Sequence, residues 1–459
     1  MHIRKYDFDY SRRFFMEKVA RGIGGAGVLT SLWPLISNGE DISKAYPDEL
    51  LDISLFTKGK IKVGDEITAD NIDVVKDIVD PMLYQEVKQQ GRKFYIMPTD
   101  TDPSTMFPPK FLEATVKNQG QAVFDETGNV RTKDGKPWIG GLPFPNPQDG
   151  MQTIANLTLA WGRHDQTMYA IPMFALDAEG NVLYSYDFVW AEQQCTGLVD
   201  NGGNPYLAGY EDKTRLQSTW FSAPNDVKGT AFVNIWPYDQ REYPDLFGYI
   251  PAFKRVRRFP TNQRFEPLVP GINLFLSDAW AAGDPMLTWG NYKIVGRQPF
   301  LGSMHGQWHA DSPNWELPLV GGPKNNTFMY VGKSLIPEVI VLEAEPTGYP
   351  RAPVSKKRVY IDARMLTFPQ MITFDRRGEI WKSFEPGFSQ YKKGDKVMMA
   401  GNDVCWSWSW VISNDIQSQR ITRFHQAESC AGGWKSQWNM HDDLINKYMT
   451  VQAMQRLGT

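Results

Sequence analysis

His305 and His309 lie four residues apart with Asp311 beside them, and they are the one histidine cluster in a chain with six histidines. That spacing sets two imidazoles on one side of a helix, as a metal site requires. Gly302, Gly306 and Pro313 make the segment read as a loop instead, and neither H-E-x-x-H nor C-x-x-C accompanies it. A metal needs three or four convergent ligands. Polar loop histidines are therefore the reading taken, with a metal at His305 and His309 as the alternative; no cofactor is expected. Gly22-Ile23-Gly24-Gly25-Ala26-Gly27 has the GxGxxG spacing of dinucleotide folds, but no strand precedes it to aim a helix at a pyrophosphate. With no G-x-S-x-G and no Cys–His spacing of a nucleophile site, no catalytic residue is assigned.

The remaining candidates bind rather than react. Lys254, Arg255, Arg257 and Arg258 form a basic run. On a strand over Phe247–Val256, Arg255 and Arg257 share a face and could hold a carboxylate, a phosphate or a lipid head group at a polar mouth. The competing reading is solvated or carboxylate-paired surface charge. Trp406, Trp408 and Trp410 alternate with Ser407 and Ser409, so a regular strand presents three indoles on one face. Tyr184, Tyr186, Phe188 and Trp190 make a second such stripe. Each stripe is core, ligand cavity or docking surface, since each ring can bury ~150–250 Å². Of the three cysteines, Cys195, Cys405 and Cys430, the last two are close enough in sequence to form a disulfide; buried free thiols are the alternative.

These groups have to be positioned by a mainly β framework. Aromatics make up 13% of the 459 residues, with 31 prolines and 39 glycines, a mixture suited to short strands and irregular loops. Helices are expected over Asn71–Gln90, kinked or split at Pro81, over Pro109–Asn118, and over Gln148–Trp161 after the rigid GLPFPNP at 141–147. From Tyr169 onward the period is alternating. Tyr169–Leu176 and Val182–Trp190 flank a turn at Asp177–Asn181, and further strands follow to Phe424, with the last hairpin closing at Ser413–Asp415. Consecutive hairpins make a large antiparallel sheet, strongly curved if it is single.

The N-terminus reads as an address. Ser11-Arg12-Arg13-Phe14-Phe15-Met16-Glu17-Lys18, followed by an uncharged, glycine-rich run, matches a twin-arginine export signal in Arg12, Arg13 and Phe15. Cleavage is bracketed between Ser37 and Ala45. Four segments follow: a signal over 1–40, an N-terminal region over 41–150 packing on the sheet, the β domain over 151–425, and a helical tail over 426–459. The formal net charge is −3, and residues 1–36 hold six basic and three acidic side chains, which leaves the remainder acidic. Nucleic acid, or an anionic membrane surface as the main partner, is not expected.

GLPFPNP at 141–147, FGYIPAFKRVRRFP at 247–260, TWGNYKIVGRQ at 288–298, KKRVYIDARMLTFPQMITFDRRGEIWK at 356–382 and DIQSQRIT at 415–422 occur in order. As a set they resemble the bacterial family catalogued as domain of unknown function 1329, which belongs with LolA-like proteins. The resemblance implies an unclosed β-barrel, α+β in class, whose concave face is covered by helices and holds lipid or acyl chains in the periplasm. It further implies membrane exporters and outer-membrane proteins as partners. The expected function is a periplasmic carrier of a hydrophobic ligand, such as a lipid, lipoprotein acyl chain or steroid-like molecule. The alternatives are a cofactor- or metal-dependent envelope enzyme and a structural subunit of an exporter complex.

Overall fold

Hairpin after hairpin along the chain pairs into one sheet, and two of the turns show the local device that closes them. At Asp177–Asn181 the Asp177 carboxylate accepts the backbone N–H groups of Glu179 (3.1 Å) and Asn181 (2.8 Å), and Gly180 takes φ +75°. Asp375 does the same for Arg377 (2.9 Å) and Glu379 (3.0 Å). The computed structural model describes residues 27–458 apart from 162, 261–263, 268, 279–283 and 305–307. Arg12, Arg13, Phe15 and His305 therefore lie outside the described residues.

Among the described residues, sixteen strands form a sheet that does not close, and the protein is mainly β with few helices. In chain order the strands are β1 (Glu66–Ile67), β2 (Phe94–Met97), β3 (Gln166–Leu176), β4 (Val182–Gln194), β5 (Lys213–Ala223), β6 (Ala231–Pro237), β7 (Asp245–Ile250) and β8 (Arg255–Phe259), then β9 (Gly290–Gly302), β10 (Gly332–Glu345), β11 (Val354–Asp362), β12 (Gln370–Asp375), β13 (Ile380–Gln390), β14 (Trp406–Asp415), β15 (Arg420–His425) and β16 (Gln437–Trp438). Their spatial order is β1-β2-β10-β11-β12-β13-β14-β15-β3-β4-β5-β6-β7-β8, with β9 on β10 and β16 on β3. The expected large open sheet is present, with antiparallel ladders except that β2 runs parallel to β10, which makes it mixed. Gly332 permits that approach: a Cβ there would lie 2.4 Å from Met97.

The helices are α1 (Gly27–Ser37), α2 (Pro81–Gln90), α3 (Pro109–Asn118), α4 (Gly150–Leu159), α5 (Leu444–Tyr448) and α6 (Val451–Leu457). Pro81 splits the expected 71–90 helix by becoming the first residue of α2, where a missing N–H costs nothing; Asp80 caps it through Met82 N (2.9 Å) and Leu83 N (3.1 Å). Two further expectations are corrected. Phe247–Val256 is not one strand, because a turn at Pro251–Phe253 with Lys254 left-handed (φ +49°) divides it into β7 and β8. Ser413 and Asn414 remain paired, to Thr422 and Ile421, and the turn falls after Asp415, whose carboxylate takes the N–H groups of Gln417 and Ser418, both at 3.0 Å.

Strand alternation gives β3–β6 two apolar faces. The outer face, with Met168, Val189, Trp220 and Val233, is covered by Leu444, Ile445 and Met454 of α5 and α6. The inner face merges with the main core, which also takes Phe107, Phe111, Ile154 and Leu157 from α3, α4 and the approach to α3. The N-terminal region builds its own core from Ile53 to Ile96 against Leu301 and Leu335. A buried ion network ties it to the sheet: Arg92 bridges Glu86 and Glu385 (2.7 Å to the latter), Lys333 pairs with Glu385, and Asn414 donates to Glu86 at 2.7 Å. Leu32, Trp33 and Ile36 of α1 are buried in the main core, inside the 1–40 segment assigned to the signal. Cleavage between Ser37 and Ala45 would uncover their neighbours Ile340, Ala363 and Leu366.

Candidate ligand-binding cavity

Register brings the aromatic side chains of the inner face into rungs. Ile171 of β3 stands beside Phe188 of β4, which stands beside Phe221 of β5; one step along, Tyr169, Trp190 and Thr219 form the next rung. Across the β15–β3 pairing Phe424 sits next to Met173, and Trp408 packs edge-on against both Phe424 (5.7 Å) and Tyr169 (5.4 Å). These side chains, with Phe384 and Pro386 of β13, Val411 of β14 and Trp161 beyond α4, wall a cavity of about 130 Å³.

Its cover is the segment Ile272–Leu276, which supplies Ile272, Leu274, Phe275 and Leu276. The cover is pinned by polar contacts, not by a strand pairing. Tyr186 donates its hydroxyl to the Pro270 carbonyl (2.9 Å), and Asn273 Nδ2 donates to the carbonyls of Ser413 (3.0 Å) and Arg420 (2.9 Å). Asn273 N donates to Thr422 Oγ1 at 3.0 Å. Lys382, buried, donates to the Asn273 carbonyl (3.1 Å) and to Asp278 (2.5 Å), with its ammonium 3.3 Å from the centre of the Phe275 ring. Burial lowers the Lys382 pKa despite the attraction of Asp278.

The expected stripes divide between the two faces. In the first, Phe188 and Trp190 line the cavity; Tyr186 is buried beside it and holds the cover; Tyr184 is 42% exposed and stacks on Tyr186. In the second, Trp408 lines the cavity, while Trp406 is buried against Phe388 (5.5 Å, stacked) in the adjoining core. Trp410 is the correction. A bulge opposite Gly387 and Phe388 leaves Ser409 unpaired, so strand parity flips and Trp410 packs on the other face with Phe328, Met329 and Ile412. The three indoles do not share a face. Tyr169, Ile171 and Met173, missed in the sequence, alternate along the first hairpin arm as Phe188 and Trp190 do along the second. The apolar run of 272–276 inside a loop was the other available signal.

Arg255 and Arg257 share a face of β8, but they are exposed at the sheet edge and do not line the cavity. Cys195, Cys405 and Cys430 are free thiols, which corrects the Cys405–Cys430 disulfide. Burial pushes the Cys405 thiol up to about 12 and the Cys430 thiol to about 11. His309 is half-buried, its pKa lowered by burial, and Asp311 beside it accepts the Gly394 N–H (2.9 Å). Among the described residues no group of three or more His, Cys, Asp or Glu side chains converges as metal ligands would. His164, beneath Trp406, is neutral: its Nε2–H donates to the Trp406 carbonyl (2.8 Å), Nδ1 accepts from Asn439 (3.3 Å), and burial lowers its pKa to about 4. Among the described residues the lining of the cavity is almost wholly apolar, with Thr219 and Tyr169 as its hydroxyl-bearing members.

Among the described residues no helix is long and apolar enough to cross a membrane. No curated protein matches the chain. The fold is similar to that of a DUF1329 family protein from Desulfovibrio piger at 12% identity and a TM-score of 0.44, covering 66% of this chain and 97% of that one. It is also similar to a putative outer membrane lipoprotein-sorting protein domain from Vibrio parahaemolyticus, at 16% identity and a TM-score of 0.40, covering 66% of this chain and all of that one. A LolA superfamily protein from Nitrosomonas europaea is similar at 11% identity and a TM-score of 0.32, over 61% of this chain and 90% of that one. The model of one family, described as a protein of unknown function (DUF1329), matches residues 66–455, and with most of its length matched the chain belongs to that family.

Proposed function

We propose that the protein is a carrier that binds a hydrophobic ligand on the inner face of its open sheet, within the bacterial envelope. The observation that carries this reading is the apolar cavity walled by Phe188, Trp190, Phe221 and Trp408 and covered by Ile272–Leu276. An apolar space of about 130 Å³ is close to the ~150 Å³ of an engineered apolar cavity that takes benzene. With the cover in place it accepts one ring or a short stretch of acyl chain. A longer lipid requires the cover to lift, and each ~100 Å² of ligand surface removed from water then gains ~2.5 kcal/mol. The twin-arginine pattern at Arg12 and Arg13 supports an envelope location, and the exporter and outer-membrane partners implied by the family resemblance would be where the ligand is taken up and released.

The test is native mass spectrometry with lipid extraction on protein purified from its own envelope, together with titration of a fluorescent apolar probe. A bound apolar molecule is expected, and Ile171→Phe, which fills the cavity, is expected to weaken probe binding at least ~10-fold by occupying its volume. A protein that carries no ligand and binds no probe, or an Ile171→Phe variant that binds as wild type does, overturns the reading.

A further inference from the structure

One rim of the sheet is amphipathic in a way the cavity does not explain. Because β3 to β8 run antiparallel in consecutive order, the turns at 177–181, 224–230 and 251–254 all project from the same end. Val182, Leu183 and Tyr184 beside the first turn are each more than 40% exposed, and Phe253 in the last is 54% exposed. A strand with one buried face alternates; three consecutive exposed apolar residues on β4 do not belong to any core. Lys254, Arg255 and Arg257 stand exposed beside Phe253, and the Arg257 guanidinium lies 4.9 Å from the centre of its ring. Arg258 is paired with Asp245, while Arg255 and Arg257 meet no carboxylate among the described residues.

From this we infer that the rim docks on an anionic bilayer, with Lys254, Arg255 and Arg257 at the phosphates and Phe253 and the Val182–Tyr184 run in the interfacial layer. Aromatic and aliphatic tips beside cations suit that layer, where basic residues are drawn to the phosphates and rings sit at head-group depth. The chain as a whole carries −3, and the neighbouring turns expose Glu179 and Asp226, so the attraction to an anionic surface is confined to the Lys254–Arg257 end of the rim, which sets the orientation. The position has a consequence for the carrier reading, on which it otherwise does not depend. Tyr184 packs where a Cβ of Gly271 would be (2.0 Å from its ring) and stacks on Tyr186 (6.0 Å), so the rim adjoins the cover of the cavity.

The experiment is co-sedimentation of the full chain with vesicles of phosphatidylglycerol and phosphatidylcholine, against phosphatidylcholine alone. Wild type is expected to bind the anionic vesicles, less so at high salt. Arg255→Glu/Arg257→Glu is expected to weaken that binding at least ~10-fold, Phe253→Ser to weaken it several-fold, and Lys58→Glu/Lys60→Glu, reversing exposed charges elsewhere, to leave it unchanged. No preference for anionic vesicles, or equal loss in the Lys58/Lys60 control, overturns the inference. Apolar-probe binding by the Arg255/Arg257 variant is measured alongside. Its retention with vesicle binding lost separates the rim from the cavity, and absence of probe binding in every protein refutes the carrier reading while leaving the vesicle result to stand alone.

Discussion

Gly387 lies opposite Trp410 across the β13–β14 ladder, and the indole fills the space a side chain at 387 would need: a Cβ there would be 2.3 Å from Trp410 Nε1. The bulge that follows turns Trp410 to the outer face and leaves Trp408 facing the cavity. Glycine at 387 therefore permits the position that Trp410 takes on that face.

Gly387→Ala is expected to destabilise the protein by about 1–3 kcal/mol through forced displacement of the indole. Urea unfolding followed by tryptophan fluorescence checks this, and a midpoint equal to that of wild type would contradict it.

The cover of the cavity depends on a buried ion pair. Removing one partner strands the other charge in the interior at a cost of about 3–5 kcal/mol, whereas removing both avoids that cost. Lys382→Met should therefore be less stable than the double variant Lys382→Met/Asp278→Asn, and it should increase the rate at which an apolar probe enters. Equal stability of the single and double variants would show that Lys382 and Asp278 do not act as a pair.

Acid should weaken the fold through two histidines. Burial lowers His164 and His425 to about 4 from the usual 6.5. The unfolded chain takes up protons at these sites near pH 6.5 while the folded chain does not until about pH 4, so their contribution to stability is complete above 6.5 and is lost as the pH falls toward 4. A shift of this size corresponds to roughly 2–3 kcal/mol per histidine by pH 4.5. His164→Gln can keep the donation to the Trp406 carbonyl without titrating, so its unfolding free energy should fall less between pH 7 and 4.5 by about that amount. A pH profile parallel to wild type would remove His164 from the account.

Residue by residue, the β framework was legible because its causes are local. The Asp177 and Asp375 turns, proline at the start of Pro109–Asn118, and the alternation of Tyr184 to Trp190 each act within a few residues, and each element formed where those signals stood. Lys254 shows the limit: a single left-handed residue after Pro251–Phe253 broke what alternation alone read as one strand. The binding face lay further from view. Phe188, Trp190 and Trp408 stand out by residue type, yet nothing near Trp410 in the chain announces that its parity will flip, because the bulge lies opposite Gly387 and Phe388 on another strand.

By itself the sequence determined a mainly β fold built of hairpins and a large supply of aromatic side chains, both from short-range patterns of turn residues and period. Tertiary structure alone decided that β2 joins β10 in parallel, that Ile272–Leu276 covers the cavity, and that Trp408 faces it while Trp410 does not. The reason is physical. Turns and alternation are set by backbone and side-chain geometry over a few residues, whereas a cavity exists only where side chains from β3, β4, β5, β13, β14 and β15, far apart in the chain, fail to fill the space between them.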